Sequence, residues 1–229
     1  VGAGRLIEFC GVGHTYGERT VLDGIDLRLP QQRIGFVGAN GSGKSTLART
    51  INGLVHPTRG RVLVDGLDAV RDGRQVRRRV GFIFTNPDSQ IVMPTAGEDV
   101  AFSLRRHGLS KQQRRERAAE ILAEHGLGDY LDHPAHQLSG GQKQLLALCS
   151  MLVLEPDVLV CDEPTTLLDL RNKRHFAEVL RQLRQQVVLV THDLELLHDF
   201  DRVVVLDRGR VVADDEPAEA LTYYRKLVE

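Results

Sequence analysis

Nine residues, GANGSGKST from Gly38 to Thr46, restrict this chain to few folds. They follow the apolar run RIGFV and precede TLARTINGL, whose apolar spacing is helical. Gly38, Gly41 and Gly43 let backbone amides converge at a helix start, where aligned peptide dipoles favour an anion. With Asn40 and Ser42 completing the loop, the spacing G-x-x-x-x-G-K-[ST] predicts a phosphate cradle. Lys44 is placed to meet β- and γ-phosphates as a point charge. The Ser45 hydroxyl closes the motif and can take one position on Mg²⁺, and Thr46 beside it completes the candidate nucleotide-binding residues.

Two later strand ends supply partners for such a loop. VLVCDEP, Val158 to Pro164, ends an apolar run with carboxylates that are costly to bury without a cation. Asp162 is therefore the candidate Mg²⁺ ligand. Strand alternation turns Glu163 to the other side, where it can polarise an attacking water. VVLVTHD ends a further strand at His192, and ligands of doubly wound α/β sheets collect beyond the carboxyl ends of the strands. His192 can contact a γ-phosphate there.

The remaining pattern agrees with an α/β protein. RLIEFCGV, TVLDGIDLRL and QRIGFVGA make the first third β-rich, while DVLVCDEP, QQVVLVTHD and DRVVVLD alternate with helix-sized segments, as in a parallel sheet with crossover helices. Between them Ser110 to Gly126 reads as a helix with Ser110 as N-cap and Ile121 and Leu122 on its apolar stripe. A length of 229 residues fits one large domain, and a net charge of -1 argues against a general nucleic-acid binder. The longest nearly apolar run, Leu145 to Leu154, is too short to span a bilayer, for which roughly 20 residues are needed. No export signal is expected. Cys10, Cys149 and Cys161 read as reduced core thiols of a cytoplasmic protein.

LSGGQ, Leu138 to Gln142, precedes another helical run, so Ser139, Gly140 and Gly141 offer a second anion site. One phosphate chain rarely needs two cradles from one subunit. The phosphate loop, LSGGQ, DEP and VTHD stand in the order and spacing of ATP-binding-cassette (ABC) ATPases, which the sequence resembles over nearly its whole length. The resemblance implies a single ABC domain over residues 1–229, of the P-loop NTPase class, with a mainly parallel core sheet and an N-terminal antiparallel β subdomain. A helical subdomain at about 86–155 is expected as an insert in the RecA-like core, with no separate C-terminal domain. It also implies a head-to-tail dimer in which Ser139, Gly140, Gly141 and Gln142 close on ATP held by the partner's phosphate loop. By the same resemblance Lys44 serves phosphate, Ser45 and Asp162 serve Mg²⁺, Glu163 is the catalytic base and His192 meets the γ-phosphate. Asp169 communicates between the two sites, and Tyr16 in HTYG stacks on adenine.

FTNPDSQIVMPTAGEDVAF, Phe84 to Phe102, departs from the family pattern, because Thr85 stands where a glutamine usually senses Mg²⁺ and water. Gln90, five residues later, is the substitute candidate for that place. The longer form NPDSQ…PT…EDVAF resembles the energy-coupling-factor branch of vitamin and transition-metal importers, whose ATPases dock a transmembrane coupling protein that works with a substrate-binding membrane subunit. Asp88, Glu98 and Asp99 are expected to meet basic residues on that coupling protein at the cytoplasmic face of the inner membrane. Within the branch the motifs look most like the ATPase of a biotin uptake system, with cobalt or nickel uptake as the alternative. A non-transport ABC ATPase and a monomeric small-molecule kinase are the competing readings. The first fits poorly with a compact near-neutral chain, and the second leaves LSGGQ unexplained.

Overall fold

The computed structural model describes residues 5–229, which divide into two compact units. The first comprises residues up to Gly81, Asp157–Glu163 and Arg184–Glu229, and the second comprises Phe82–Pro156 and Pro164–Leu183.

Unit one opens with β1 (Ile7–Tyr16), β2 (Arg19–Leu29), β3 (Arg33–Val37), α1 (Lys44–Ile51), β4 (Arg59–Val64), β5 (Leu67–Asp68) and α2 (Gly73–Arg79). Strand β6 (Val80–Ile83) begins in this unit. Unit two follows with α3 (Ala96–Ser103), α4 (Lys111–Glu124) and α5 (Gly140–Leu152). The chain then runs through β7 (Val158–Asp162) and α6 (Leu170–Gln182), and ends with β8 (Gln186–Val190), β9 (Arg202–Asp207), β10 (Arg210–Asp215) and α7 (Pro217–Val228).

Among the described residues two sheets form: an antiparallel one of order β2-β1-β4-β5, and a six-stranded one of order β10-β9-β3-β8-β7-β6. In the second sheet β3 runs parallel to β8 and β9, β7 runs parallel to β8, and β10 is antiparallel to β9. Every residue of β3, β7 and β8 is buried, which is why their sequences are continuous apolar runs rather than alternating ones. Helix α1 covers this core with Leu47, Ala48 and Ile51. Strands β3, β7 and β8, with β9 parallel to them, deliver their carboxyl ends to one side, and the loops there carry the site described below.

In unit two α3 packs on α4 and α5, and α5 packs on α6, around Val100, Leu122, Leu146 and Phe176. Helix α4 has the expected Ser110 N-cap, strengthened by a capping box with Gln113. Leu122 is fully buried while Ile121 is half-buried. The unit reaches beyond the 86–155 span expected of a helical insert, because α6 belongs to it as well.

Cys149 and Cys161 are buried free thiols, and burial pushes both pKa values up, that of Cys149 to about 12, so neither is a ready nucleophile. Cys10 is only half-buried, since it lies on the antiparallel sheet rather than in an enclosed strand. Among the described residues no helix is long and apolar enough to cross a membrane.

Candidate functional site

Unit one brings the phosphate loop, Asp162, Glu163 and His192 together. Helix α1 starts at Gly43, whose φ of 104° is left-handed, and a Cβ there would lie 2.7 Å from the Val21 carbonyl oxygen. Only glycine fits that turn. Among the described residues no side chain caps α1 and its first turn holds no acidic residue, so the positive end of its dipole is left for a ligand or water. Gly38 and Ser42 are buried, Asn40 and Gly41 are exposed, and Thr46 is half-buried on the helix.

Lys44 is buried, and its Nζ donates to the carbonyls of Gly38 at 2.7 Å and Ala39 at 3.0 Å. Burial draws the ammonium pKa down, opposed by the carboxylates of Glu163 and Asp162. The charge is thus held inside the loop, where a phosphate would be its natural counterion.

Asp162 ends β7 at 1% exposure. Its Oδ1 accepts from the Ser45 hydroxyl at 2.7 Å, and its Oδ2 pairs with Arg49 at 2.9 Å. Adjacent oxygen ligands about 2.1 Å from an octahedral Mg²⁺ lie about 3 Å apart, so the Ser45 and Asp162 oxygens are already spaced for that ion. Both donors are hard oxygens and one is anionic, which fits Mg²⁺. Among the described residues no cluster of three or more His, Cys, Asp or Glu is placed to hold a metal ion. Arg49 was missed in the sequence, although it follows Ser45 by four residues and therefore shares its helical face.

Glu163 does not continue the strand alternation used to place it. Its φ of 52° is left-handed, an uncommon state for a non-glycine residue, and its N–H donates to the Val190 carbonyl at 2.9 Å. This kink, rather than the pleat, aims the side chain at His192, whose Nδ1 lies 2.7 Å from Glu163 Oε2. A carboxylate only accepts, so the bond calls for a ring proton on Nδ1 of this half-exposed ring. Tyr16, at the end of β1, is 54% exposed.

Unit two holds the other candidates. Ser139 is the N-cap of α5: its hydroxyl accepts from the Gln142 N–H, while the Gln142 side chain accepts from the Ser139 N–H. Gly140 is exposed and Gly141 is buried. A Cβ on Gly141 would lie 2.4 Å from the Asn172 side chain of α6. Asp169 caps α6 by accepting from the Asn172 N–H at 2.8 Å, so Asn172, which the motifs did not single out, adjoins both segments.

The segment after β6 differs from expectation at two residues. Gln90 does not offer a free amide: its oxygen accepts from the Phe84 N–H at 3.3 Å, and its nitrogen donates to the Ala147 carbonyl at 3.5 Å. Gln144, 1% exposed on α5, donates to the Phe84 carbonyl at 3.2 Å, so two glutamines clamp one residue beside Thr85. Asp99 is not a docking carboxylate. It is 4% exposed and accepts from the N–H groups of Val92 and Met93 and from the Ser150 hydroxyl, because the turn before α3 needs those bonds. Asp88 is exposed and pairs with Lys143 at 2.7 Å; Glu98 is exposed and completes the Thr95 cap of α3. A groove of about 330 Å³ beside Glu98 is lined by Met93, Ala101, Phe102, Arg105 and Lys111 among others.

Comparison with known proteins accounts for this arrangement. The family profile described as ABC transporter matches residues 22–166, a span from just after β2 begins to just beyond Glu163. A Deinococcus radiodurans protein, provisionally named an ABC transporter ATP-binding protein, is 53% identical over 96% of this chain and 98% of its own. The biotin transport ATP-binding protein BioM of Rhizobium etli is 44% identical over 96% of this chain and 98% of its own. The solved structure of cbiO1 from Clostridium perfringens, part of the ABC transporter complex cbiONQ, has a TM-score of 0.85 at 30% identity, covering 98% of this chain and 94% of that one. The chain belongs to the ABC transporter family, as an ATP-binding and ATP-hydrolysing member.

Proposed function

We propose that this chain is the ATPase of an energy-coupling-factor importer, acting as a homodimer beneath a transmembrane coupling protein, with biotin as the imported solute. The observation that carries the ATPase part is the 2.7 Å contact between Ser45 and Asp162, two oxygen donors spaced for Mg²⁺ beside the buried Lys44. In this reading Gly38 to Thr46 hold the triphosphate, and Ser45 and Asp162 would hold Mg²⁺, which would offset the negative charge of the phosphates. Glu163 accepts a proton from the attacking water. His192 fixes the Glu163 carboxylate through Nδ1 and turns Nε2 to the γ-phosphate. Tyr16 stacks on adenine, and the Ser139 to Gln142 segment of a second copy completes the site. Asp169 communicates between the two sites of the dimer.

The membrane side of the proposal rests on other supports. The stretch NPDSQ…PT…EDVAF resembles that of the energy-coupling-factor branch, and the Rhizobium etli relative is named for biotin. The groove beside Glu98 has the apolar floor that a coupling helix of the membrane protein needs, while Asp88 and Glu98 stay exposed for its polar flank. In this reading the chain works at the cytoplasmic face of the membrane. The experiment is affinity copurification from source membranes, with partners identified by mass spectrometry and retained radiolabelled biotin counted. A transmembrane coupling protein together with bound biotin is expected. Recovery with a metal-binding subunit would overturn biotin and keep the importer, whereas recovery with soluble nucleic-acid machinery would overturn both.

A further inference from the structure

Residues His14 and Tyr16 stand two positions apart on β1, and their rings meet edge to face, with centroids 4.5 Å apart and planes at 81°. Their surroundings differ sharply. Tyr16 is 54% exposed and His14 is 7% exposed, with neither ring nitrogen hydrogen-bonded among the described residues. Across the sheet His14 pairs with Leu22, and Leu22 Cδ2 would lie 2.9 Å from a Cβ at Gly43, the start of α1. The histidine therefore sits on the stretch of sheet that backs the phosphate loop, and Tyr16 pairs with Arg19 at the end of the same strand.

Packing alone does not account for an imidazole here. Leucine or phenylalanine would fill the space without desolvating two ring nitrogens. What an imidazole shares with phenylalanine, and leucine lacks, is an aromatic rim able to meet a tyrosine ring at right angles. An N–H directed at that ring also gives a buried donor a weak partner. Without such a neighbour a half-exposed tyrosine samples several rotamers and loses that freedom when a ligand stacks on it.

We propose that His14 is a positioning residue for nucleotide recognition: its ring holds Tyr16 in the orientation that stacks on the base, without touching the nucleotide itself. The inference rests on the reading of Tyr16 as the adenine platform. His14 then contributes to affinity for the base and not to affinity for the phosphates, which Lys44 and the α1 start hold separately.

The test is calorimetric titration of the full chain with ATP and, separately, with tripolyphosphate, which has no base. The variants are His14→Leu, His14→Phe, Tyr16→Ala and the double variant His14→Leu with Tyr16→Ala. His14→Leu is expected to weaken ATP roughly threefold to tenfold, the range of an aromatic pair, and to leave tripolyphosphate unchanged. His14→Phe restores ATP affinity, and the double variant binds ATP no more weakly than Tyr16→Ala alone, because His14 acts through Tyr16. Equal weakening of both ligands, or additive losses in the double variant, would overturn the proposal in favour of a packing role. If Tyr16→Ala leaves ATP affinity intact, the adenine-platform reading itself fails. If Tyr16→Ala weakens ATP and His14→Leu does not, only the positioning role fails.

Discussion

Helices α1 and α5 both begin in glycine-rich loops that the sequence marks as anion sites, yet the two starts are built differently. Helix α1 begins at a left-handed Gly43 with no side-chain cap, whereas α5 begins at Ser139 inside a closed capping box with Gln142. An uncapped helix start leaves backbone donors to be satisfied by water or ligand. A capped one stands without either. The α1 start is accordingly a place where ligand completes the helix. At α5 the helix is complete beforehand, and what remains for an anion is the Ser139 hydroxyl proton and the amides of Gly140 and Gly141. This division suits a site whose first half binds nucleotide alone and whose second half only closes on it.

The comparison breaks most visibly at the chemical group beside the α1 start. Glu163→Gln is expected to lower ATP turnover by roughly 10²- to 10⁴-fold, the usual contribution of a general base, while ATP binding persists and size-exclusion chromatography shows a nucleotide-dependent dimer. Turnover at the native rate would remove the base role and with it the assignment of chemistry to the α1 side.

Next in size is Lys44→Ala. Removing the buried cation proposed as the counterion of the phosphates is expected to weaken ATP binding by roughly 100-fold. Titration of the isolated chain reads this directly. Unchanged affinity would mean that the uncapped amides alone hold the phosphates, and the contrast between the two starts would then rest on backbone only.

How far the sequence foretold these regions differs for physical reasons. Lys44, Ser45 and Asp162 were legible because a fixed loop spacing and a strand end determine where they go. Glu163 was legible in identity but not in direction, since its φ of 52° breaks the alternation on which the expectation relied. Arg49 was hidden because its partner Asp162 is distant in the chain, although its helical spacing from Ser45 was a usable signal. Segment 84–102 was read least well. Exposure cannot be read from charge, so Asp99 looked like a docking carboxylate while folding spends it on Val92, Met93 and Ser150. Gln90 looked like a free amide for the nucleotide site, and only the structure shows that it and Gln144 bond the N–H and the carbonyl of Phe84.

The smallest expected effect on the folded chain sharpens the α5 side. Ser139→Ala removes the cap and is expected to cost about 1 kcal/mol of stability, a fall of roughly 2–4 °C in melting temperature for a chain of this size. Aspartate caps a helix about as well as serine, so Ser139→Asp should melt near the native temperature. It nevertheless removes the hydroxyl proton and sets a negative charge where the γ-phosphate of a second copy would arrive. If Ser139 serves an anion as well as its helix, Ser139→Asp retains stability and loses most of its turnover, while both variants bind ATP as tightly as the native chain. Thermal melts and steady-state phosphate release separate these roles. Native turnover in Ser139→Asp would reduce Ser139 to a cap and leave α1 as the only anion-binding helix start of the pair.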